Sequence, residues 1–115
     1  MNVGRAVTKY VRISPRKARL AADLIRGVSV EEAAWQLDQA SVRGGRLLRK
    51  TLDSAVANAE FQHEVQRDNL AVLEVRVDVG PTLKRGRARS RGSRSPILKR
   101  TSHFTVVVGQ RSEVA

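Results

Sequence analysis

The 115-residue sequence contains no cysteine, and only 3% of its residues are aromatic. The absence of cysteine excludes a disulfide framework and any metal site built on thiolates. No apolar run approaches the length of a membrane span, and the start of the chain lacks the apolar segment of a secretory signal. No segment pairs a basic face with an apolar, aromatic one, as a helix lying in a membrane surface would. These absences predict a soluble intracellular protein without a membrane partner.

Residues of catalytic or metal-binding type are scarce as well. The two histidines, His63 and His103, are 40 positions apart, so the sequence has no pair of histidines at the spacing of a metal site. The sequence has no phosphate-binding loop, dinucleotide fingerprint or nucleophile elbow. We therefore predict that the protein is not an enzyme and that it holds neither a cofactor nor a metal.

Positive charge is abundant and unevenly distributed. Lys and Arg number 22 against 11 Asp and Glu, which gives a formal charge of +11. Residues 1–22 carry six cations and no acid, residues 23–78 seven cations and ten acids, and residues 79–115 nine cations and one acid. This distribution predicts a polyanionic partner that is bound by the two flanks of a nearly neutral middle.

The segment 82–100 carries eight cations, no acid and no aromatic residue. Apolar and polar residues alternate over 73–79 before it, and residues 104–108 after it are apolar and mostly β-branched, so both flanks are predicted strands. The segment is then a hairpin whose tip stands about 30 Å from the core. A solvated, disordered loop is the alternative. The apolar stretch 96–98 and the two glycines of the segment favour the hairpin.

A second basic patch surrounds a predicted helix start. Ser14 is a typical N-cap, Pro15 suits the first helical position, and Gly27 suits the position just past the end. The cations of this patch are Arg16, Lys17 and Arg19, with Lys9 and Arg12 extending it. Cations at a helix N-terminus oppose the helix dipole. We predict that Arg16 and Lys17 of the first turn, Arg19 after them and the free N–H groups converge on one phosphate, and a merely solvated cationic face is the alternative.

The whole pattern predicts an α+β fold, with a small antiparallel three-stranded sheet packed on three helices and the long basic hairpin protruding from the core. One domain is expected, with a globular core over about 1–80 and 100–110, a hairpin over 81–99 and a mobile tail over 111–115. A first strand is predicted over 4–12, a second helix from Ser29, and a third from 41 or 43 to 62. The positions predicted to face the core are Ala18, Ala21, Ala22, Ile25, Val30, Ala33, Ala34, Leu37, Leu48, Leu52, Ala55, Val56 and Ala59.

Two further predictions concern helix surfaces. Trp35 lies at the edge of the apolar stripe of the second helix, so it is predicted to pack and not to stack on a base. Four cations begin the outer face of the third helix, and they either contact nucleic acid or are simply solvated. These cations are Arg43, Arg46, Arg49 and Lys50.

The mode of binding follows from which residues are present. Six of the eight cations in the segment 82–100 are Arg, which contacts phosphate bidentately and stacks on bases. Aromatics are too few for an RRM or OB-fold surface, and no helix-turn-helix or zinc-finger pattern is present. The sequence therefore predicts recognition of the shape and backbone of folded RNA. A free-standing, non-specific nucleic-acid-binding protein is the alternative.

Five motifs add a resemblance. They are residues 10–19 (YVRISPRKAR), 23–27 (DLIRG), 54–59 (SAVANA), 77–81 (VDVGP) and 98–103 (LKRTSH). In this order and spacing they resemble the family of bacterial large-subunit ribosomal protein twenty-two, over nearly the whole chain to Gln110.

The resemblance implies an α+β domain on the outside of the large ribosomal subunit, near the exit of the nascent-chain tunnel. The hairpin would run inward through ribosomal RNA, and its tip would form part of the tunnel wall. The implied partners are several domains of large-subunit rRNA, neighbouring large-subunit proteins and the nascent polypeptide, with no homo-oligomer. An early role in assembly is also implied. The location would be the cytoplasmic ribosome, with an organellar ribosome as the alternative.

Charge pattern and resemblance together give the candidate site residues. Those predicted to bind RNA are Lys9, Arg12, Ser14, Arg16, Lys17, Arg19, Lys84, Arg85, Arg87, Arg89, Arg91, Lys99, Arg100, Thr101 and His103. Those predicted to face the tunnel at the tip are Lys84, Arg85, Gly86, Arg89, Arg91, Gly92 and Arg94. By resemblance, Lys84 and Arg85 match the basic pair at the narrow part of the tunnel, and Gly92 matches a tip glycine. Two positions depart from the family pattern. Many relatives carry a small residue at the position of Arg94, and at 86–88 they often have two apolar residues and a proline.

Overall fold

The computed structural model describes residues 3–40, 43–64, 66–88, 90–92 and 94–110, and at positions 68, 90 and 94–97 it describes the backbone alone. The elements in chain order are β1 (Val3–Val11), α1 (Pro15–Ile25), α2 (Val30–Gln39), α3 (Arg43–His63), β2 (Leu70–Val79), β3 (Leu83–Ala88), β4 (Arg94–Lys99) and β5 (Ser102–Gln110). A single 3₁₀ turn lies at Arg67–Asn69, and Ser90–Gly92 forms a tight turn in which Arg91 is left-handed. The predicted α+β class is confirmed. No helix among these described residues is long and apolar enough to cross a membrane.

The core lies between one sheet and three helices. The sheet is antiparallel in the order β1, β5, β2, so the last strand of the chain pairs with both others. Alternate residues of β5, namely Phe104, Val106 and Val108, are fully buried toward the helices. The helix positions predicted to face the core are all buried. Burial of one stripe per helix against one sheet face is what holds this fold together.

Helix α1 begins as its sequence dictates. The Ser14 hydroxyl accepts a hydrogen bond from the Lys17 N–H at 3.4 Å, and Pro15 occupies the first turn. Gly27, just past the end, has φ of 82°, a left-handed conformation that suits glycine. The helix therefore presents its N-terminus at a fixed place on the core.

Helix α2 also starts at the predicted cap, since the Ser29 hydroxyl accepts from the Glu32 N–H at 3.3 Å. Trp35, however, is 60% exposed, so the prediction that it packs is wrong. Its neighbour Ala34 is buried, and each helical residue turns about 100° from the one before it. Position 35 therefore faces solvent.

Strand β2 departs from simple alternation at both ends. Val75 and Val77 are buried as predicted, but Leu73 is only half-buried because the pairing register with β5 shifts between Val72 and Glu74. Such a bulge turns a side chain away from its expected face. Val79 is 68% exposed, because it lies beyond the area that the helices cover.

The outer edge of β2 is occupied by groups from the same chain. Arg19 donates through Nη2 to the Val77 carbonyl at 3.1 Å, and Arg26 donates through Nη2 to the Val75 carbonyl at 2.9 Å. The Val72 N–H donates to the Val28 carbonyl at 2.8 Å. Helix α1 and its following loop thus satisfy an edge that would otherwise offer free backbone groups.

Strands β3 and β4 form the predicted hairpin outside the three-stranded sheet. They pair antiparallel from Leu83 opposite Lys99 to Ala88 opposite Arg94. The molecule measures 62 × 25 × 20 Å, and its radius of gyration of 17.0 Å exceeds the roughly 13 Å typical of a compact chain of this length. The hairpin accordingly extends away from the core. The segment 111–115, predicted to be mobile, lies outside the described residues.

Candidate nucleic-acid interface

A cleft of about 420 Å³ lies between the start of α1 and the base of the hairpin. Its lining residues are Ser14, Pro15, Arg16, Arg19, Val79, Thr82, Arg100 and Thr101. The two basic patches that the sequence places 84 positions apart, at Arg16 and Arg100, therefore meet in one concave surface. Of the described residues that line it, three are cations and none is an acid. Such a concavity favours a phosphate group.

The helix end leaves one backbone donor for this cleft. Pro15 has no N–H, the Lys17 N–H donates to the Ser14 hydroxyl, and the Ala18 N–H donates to the Ser14 carbonyl at 3.1 Å. The Arg16 N–H remains, at the positive end of the helix dipole. The Arg16 side chain is exposed and can meet the same anion.

Lys17 does not line this cleft, although the sequence predicted that it converges with Arg16 and Arg19 on one phosphate. Arg16 and Arg19 are three positions apart and line the same cleft. Lys17 instead lines a second cleft of about 440 Å³ with Arg43. The helical turn of about 100° per residue separates Lys17 from Arg16. Arg19 is also held by its bond to the Val77 carbonyl, so its guanidinium is oriented before any ligand arrives.

The base of the hairpin is closed by bonds around Thr101. The Gly80 N–H donates to the Thr101 carbonyl at 3.0 Å, and the Thr101 hydroxyl donates to the Pro81 carbonyl at 2.6 Å. Gly80 allows this approach, since an added Cβ would lie 2.5 Å from the Thr101 hydroxyl oxygen. The Ser102 hydroxyl, fully buried, donates to the Ile13 carbonyl at 2.7 Å and so ties the base to the loop before α1. Thr101 thus shapes the cleft, while its predicted contact with RNA stays a prediction.

The predicted residues Lys9, near the end of β1, and Arg12, just after it, are both exposed and both outside the cleft lining. Between them, Tyr10 has φ of 59°, and its N–H donates to Nδ1 of His103 at 3.1 Å. The Tyr10 and His103 rings meet edge to face, with centroids 5.0 Å apart. His103 is half-buried beneath this contact.

The hairpin arms present their cations to solvent. Residues 84–88 and 98–100 are exposed, and the segment 82–100 contains no acid. Paired positions of an antiparallel hairpin share a face, so Arg85, Arg87 and Lys99 lie on one face and Lys84 on the other, together with position 94. Of the candidate residues, Arg89 lies outside the described residues, and Arg94 is described by its backbone alone.

At the hairpin tip, Arg91 and Gly92 have φ of 60° and 72°, so both are left-handed. Both are exposed. Within the part of the hairpin that the structure describes, nothing lies within 4 Å of the Cβ that another residue would add at Gly92. The glycine is therefore required by backbone conformation and not by packing.

The cations on α3 divide into two groups. Arg49 bonds Asp38 and Asp53, and its Nη1 donates to the Ala34 carbonyl at 3.2 Å. The hydrogen bond to Asp38, and then that to Asp53, raises the pKa of Arg49 above its ordinary value. Arg49 is thus a brace between α2 and α3, whereas Arg43, Arg46 and Lys50 are exposed.

Sequence reasoning missed three residues that build this surface. Val79 and Thr82 line the cleft, and Gly80 lets the two arms of the hairpin base approach. The signal for Gly80 was present, since a glycine followed by a proline at the end of a strand marks a tight backbone approach. No local signal marked Val79, because the alternation of apolar and polar residues over 73–79 predicted it to face the core.

A family model and several named proteins match this sequence. The sequence model of the family described as "Ribosomal protein L22p/L17e" matches residues 6–109. A protein named "Large ribosomal subunit protein uL22" from Protochlamydia amoebophila (strain UWE25) is 65% identical over 108 residues, 94% of this chain and 97% of its own length. Proteins of the same name from Chlamydia felis and Chlamydia pneumoniae are 59% and 57% identical, each over 93% of this chain and 96% of their own length.

Proposed function

The chain belongs to the ribosomal protein L22p/L17e family, and from this premise we propose that it is a structural constituent of the large ribosomal subunit. It binds large-subunit rRNA, supports assembly of the subunit, and lines the nascent-chain tunnel with its hairpin. Its function is binding, without a catalytic step. Since the relatives named above are bacterial, the proposed location is the cytoplasmic ribosome.

The observation that carries the proposal is an exposed arm whose charges have no partner of opposite sign within it. The segment 82–100 holds eight cations and no acid. Arms of this kind gain little by burial and need an external polyanion to offset their mutual repulsion. Ribosomal RNA supplies closely spaced phosphates along the whole length of such an arm.

We propose a division of labour between two surfaces. The core, residues 1–80 and 100–110, docks on rRNA through the cleft, where the Arg16 N–H and the side chains of Arg16, Arg19 and Arg100 receive one phosphate. The hairpin, residues 81–99, contacts rRNA along both faces with Lys84, Arg85, Arg87 and Lys99. Lys17 and Arg43, at the second cleft, bind a separate phosphate.

The hairpin tip is the part proposed to meet the nascent polypeptide. Arg91 and Gly92 are exposed there, and Gly92 keeps the turn narrow because it adds no side chain. Arg89 and Arg94 are proposed to add positive charge beside the passing peptide. Neighbouring large-subunit proteins are proposed to contact the core, away from the arm.

Competition binding tests the proposed function. We expect the purified chain to prefer deproteinised large-subunit rRNA over duplex DNA and to sediment with large subunits. The logarithm of its affinity should fall with the logarithm of salt concentration by about 0.7 to 0.9 per phosphate neutralised. A preference for duplex DNA without co-sedimentation would instead indicate a non-specific nucleic-acid-binding protein.

A matched pair of variants tests the cleft. Replacing Arg16 and Arg100 with Gln should reduce the salt slope by about 0.7 to 0.9, since both side chains are proposed to meet the one phosphate of the cleft. The control replaces Arg46 and Lys50, two exposed cations outside the cleft, and should change the slope little. Equal effects of the two pairs would mean that the cleft is not a specific contact.

A further inference from the structure

We propose that Tyr10, held by His103, is a stacking site for one unpaired RNA base. The inference rests on the proposed binding of large-subunit rRNA and adds a class of contact that phosphate recognition lacks. It concerns the outer face of the sheet, because His103 alternates with Phe104, whose side chain points into the core.

The backbone at Tyr10 is held in an unfavourable conformation. Its φ of 59° is left-handed, a conformation that is unfavourable for a residue other than glycine because Cβ crowds the following carbonyl oxygen. The β1 to β5 pairing breaks its register between Thr8 and Val11, so Tyr10 sits within the irregularity. Strain of this kind persists where the surrounding structure enforces it, and it is concentrated at functional sites.

The strained backbone presents the ring in a fixed orientation. The Tyr10 N–H donates to Nδ1 of His103, and the His103 ring meets the Tyr10 ring at 88°. Even so, Tyr10 remains 64% exposed. An aromatic ring that is both exposed and oriented in advance loses little conformational entropy when a base stacks on it.

The charges around the ring suit a nucleotide. Lys9 and Arg12 are exposed on either side of Tyr10 in the chain, and both belong to the acid-free first 22 residues. Asp78 lies opposite His103 on β2. The phosphate of a stacked nucleotide is therefore directed toward the β1 side, away from this carboxylate.

A purely structural role for Tyr10 gives a different expectation. A ring that only covers His103 would affect folding and leave affinity for RNA unchanged. The low aromatic content of the chain excludes a surface that stacks several bases, but one base needs only one ring. The two roles are therefore separable by measuring affinity and stability on the same variants.

The first experiment compares Tyr10→Gly with Tyr10→Phe in binding to deproteinised bacterial large-subunit rRNA. Glycine adopts φ near 59° freely, so Tyr10→Gly keeps the backbone while removing the ring. We expect Tyr10→Gly to weaken binding about 5- to 150-fold, the range for loss of one stacked base. Its salt slope should stay unchanged because no charge is lost, and Tyr10→Phe should bind like the parent chain.

The second experiment uses the fact that Tyr10 is the chain's one tyrosine. Nitration by tetranitromethane should modify Tyr10 in the free chain and be suppressed in the rRNA complex. Ultraviolet crosslinking of the complex should join the Tyr10 peptide to an unpaired nucleotide. A crosslink to a protein in assembled subunits, with none to RNA, would overturn the proposal in favour of a protein contact.

The outcomes distinguish this site from the proposed function. If the parent chain prefers rRNA but Tyr10→Gly binds equally well, the stacking site is wrong and the proposed function stands. If nitration of Tyr10 is unchanged in the rRNA complex, the stacking site is likewise wrong and the proposed function stands. If the parent chain shows no preference for rRNA over duplex DNA, both the proposed function and this site are wrong.

Discussion

Single glycines decide how closely the backbone segments of this protein approach. Gly80 lies against Thr101 at the hairpin base, and Gly4 of β1 lies against Ala55 and Ala59 of α3. Neither has a positive φ, so the requirement is for space and not for conformation. Gly27 shows the opposite case, with φ of 82° and nothing within 4 Å of an added Cβ.

Replacing Gly80 with Ala should destabilise the hairpin base. The new Cβ would lie 2.5 Å from the Thr101 hydroxyl oxygen, which must move and lose its bond to the Pro81 carbonyl. We expect a loss of about 1–3 kcal/mol in the free energy of unfolding, measured in urea. In a Thr101→Ala background the same substitution should cost less, because its nearest obstacle is gone. Equal costs in both backgrounds would disprove the clash.

Replacing Gly4 with Ala should be costly for a different reason. The added Cβ would collide with backbone and Cβ atoms of Ala55 and Ala59, which belong to a helix and cannot swing away. We expect a loss of about 2–3 kcal/mol in unfolding free energy. Gly27→Ala is the matched control, with about 1 kcal/mol expected from backbone strain alone. A smaller loss at Gly4 than at Gly27 would contradict the packing argument.

Among the secondary-structure elements, α1 has two roles. Its buried stripe packs in the core, while Arg19 and Arg26, seven positions apart, reach the carbonyls on the edge of β2. Arg19 lies within the helix and Arg26 directly follows its last residue, and both donate to carbonyls of the same strand. Helix α1 therefore protects the sheet edge and orients one wall of the cleft.

Removing the Arg26 side chain should weaken this attachment. Its guanidinium bonds the Val75 carbonyl at 2.9 Å and Asp23 at 2.7 Å, but the side chain is 49% exposed, so we expect Arg26→Ala to cost only about 1 kcal/mol in unfolding free energy. Arg46→Ala removes the same charge from an exposed helix position and should be nearly neutral. Amide hydrogen exchange should increase along β2 in the first variant alone. Matching exchange in both would contradict a role for Arg26 at the edge.

The local sequence pattern predicted the helices and strands well, but it did not predict which distant residues come together in the fold. Helical spacing identified the buried sides of all three helices, because position along a helix determines which residues share a face. The divergence of Lys17 from Arg16 follows from the same geometry, although the prediction of a single phosphate site overlooked it. The cleft itself joins Arg16 to Arg100, and nothing local encodes a contact between such distant positions. The strain at Tyr10 depends on His103, which is equally remote in sequence.

Over the whole molecule, the apolar residues that stabilise the fold lie in the core, and the densest positive charge lies in the hairpin. The core buries the apolar residues, whereas the arm carries seven cations and no acid between positions 84 and 99. Those whose side chains the structure describes, Lys84, Arg85, Arg87, Arg91 and Lys99, are all exposed. Because the arm contributes little burial, its sequence is free to serve a partner. This separation explains an elongated shape with a long axis of 62 Å.

Excising residues 84–99 and closing the hairpin with an Asn-Gly turn should leave the core folded. We expect the free energy of unfolding to change by less than about 1 kcal/mol, since little apolar area is lost and a shorter loop costs less entropy. The salt slope of rRNA binding should fall by up to about 5 to 6, for at most seven lost phosphate contacts. Circular dichroism and filter binding on the same sample measure both effects. Collapse of the core on excision would refute this separation.

The fastening at Gly80 and Thr101 has a geometric consequence. Because the hairpin is long and its base is short, a small change of angle at the base produces a larger displacement at the tip. A displacement at the base that is too small to lower the melting temperature would still move Arg91 and Gly92 away from their positions at the tip. Gly80 and Thr101 therefore set the direction of the hairpin, so their substitutions should misplace its tip in addition to lowering the free energy of unfolding.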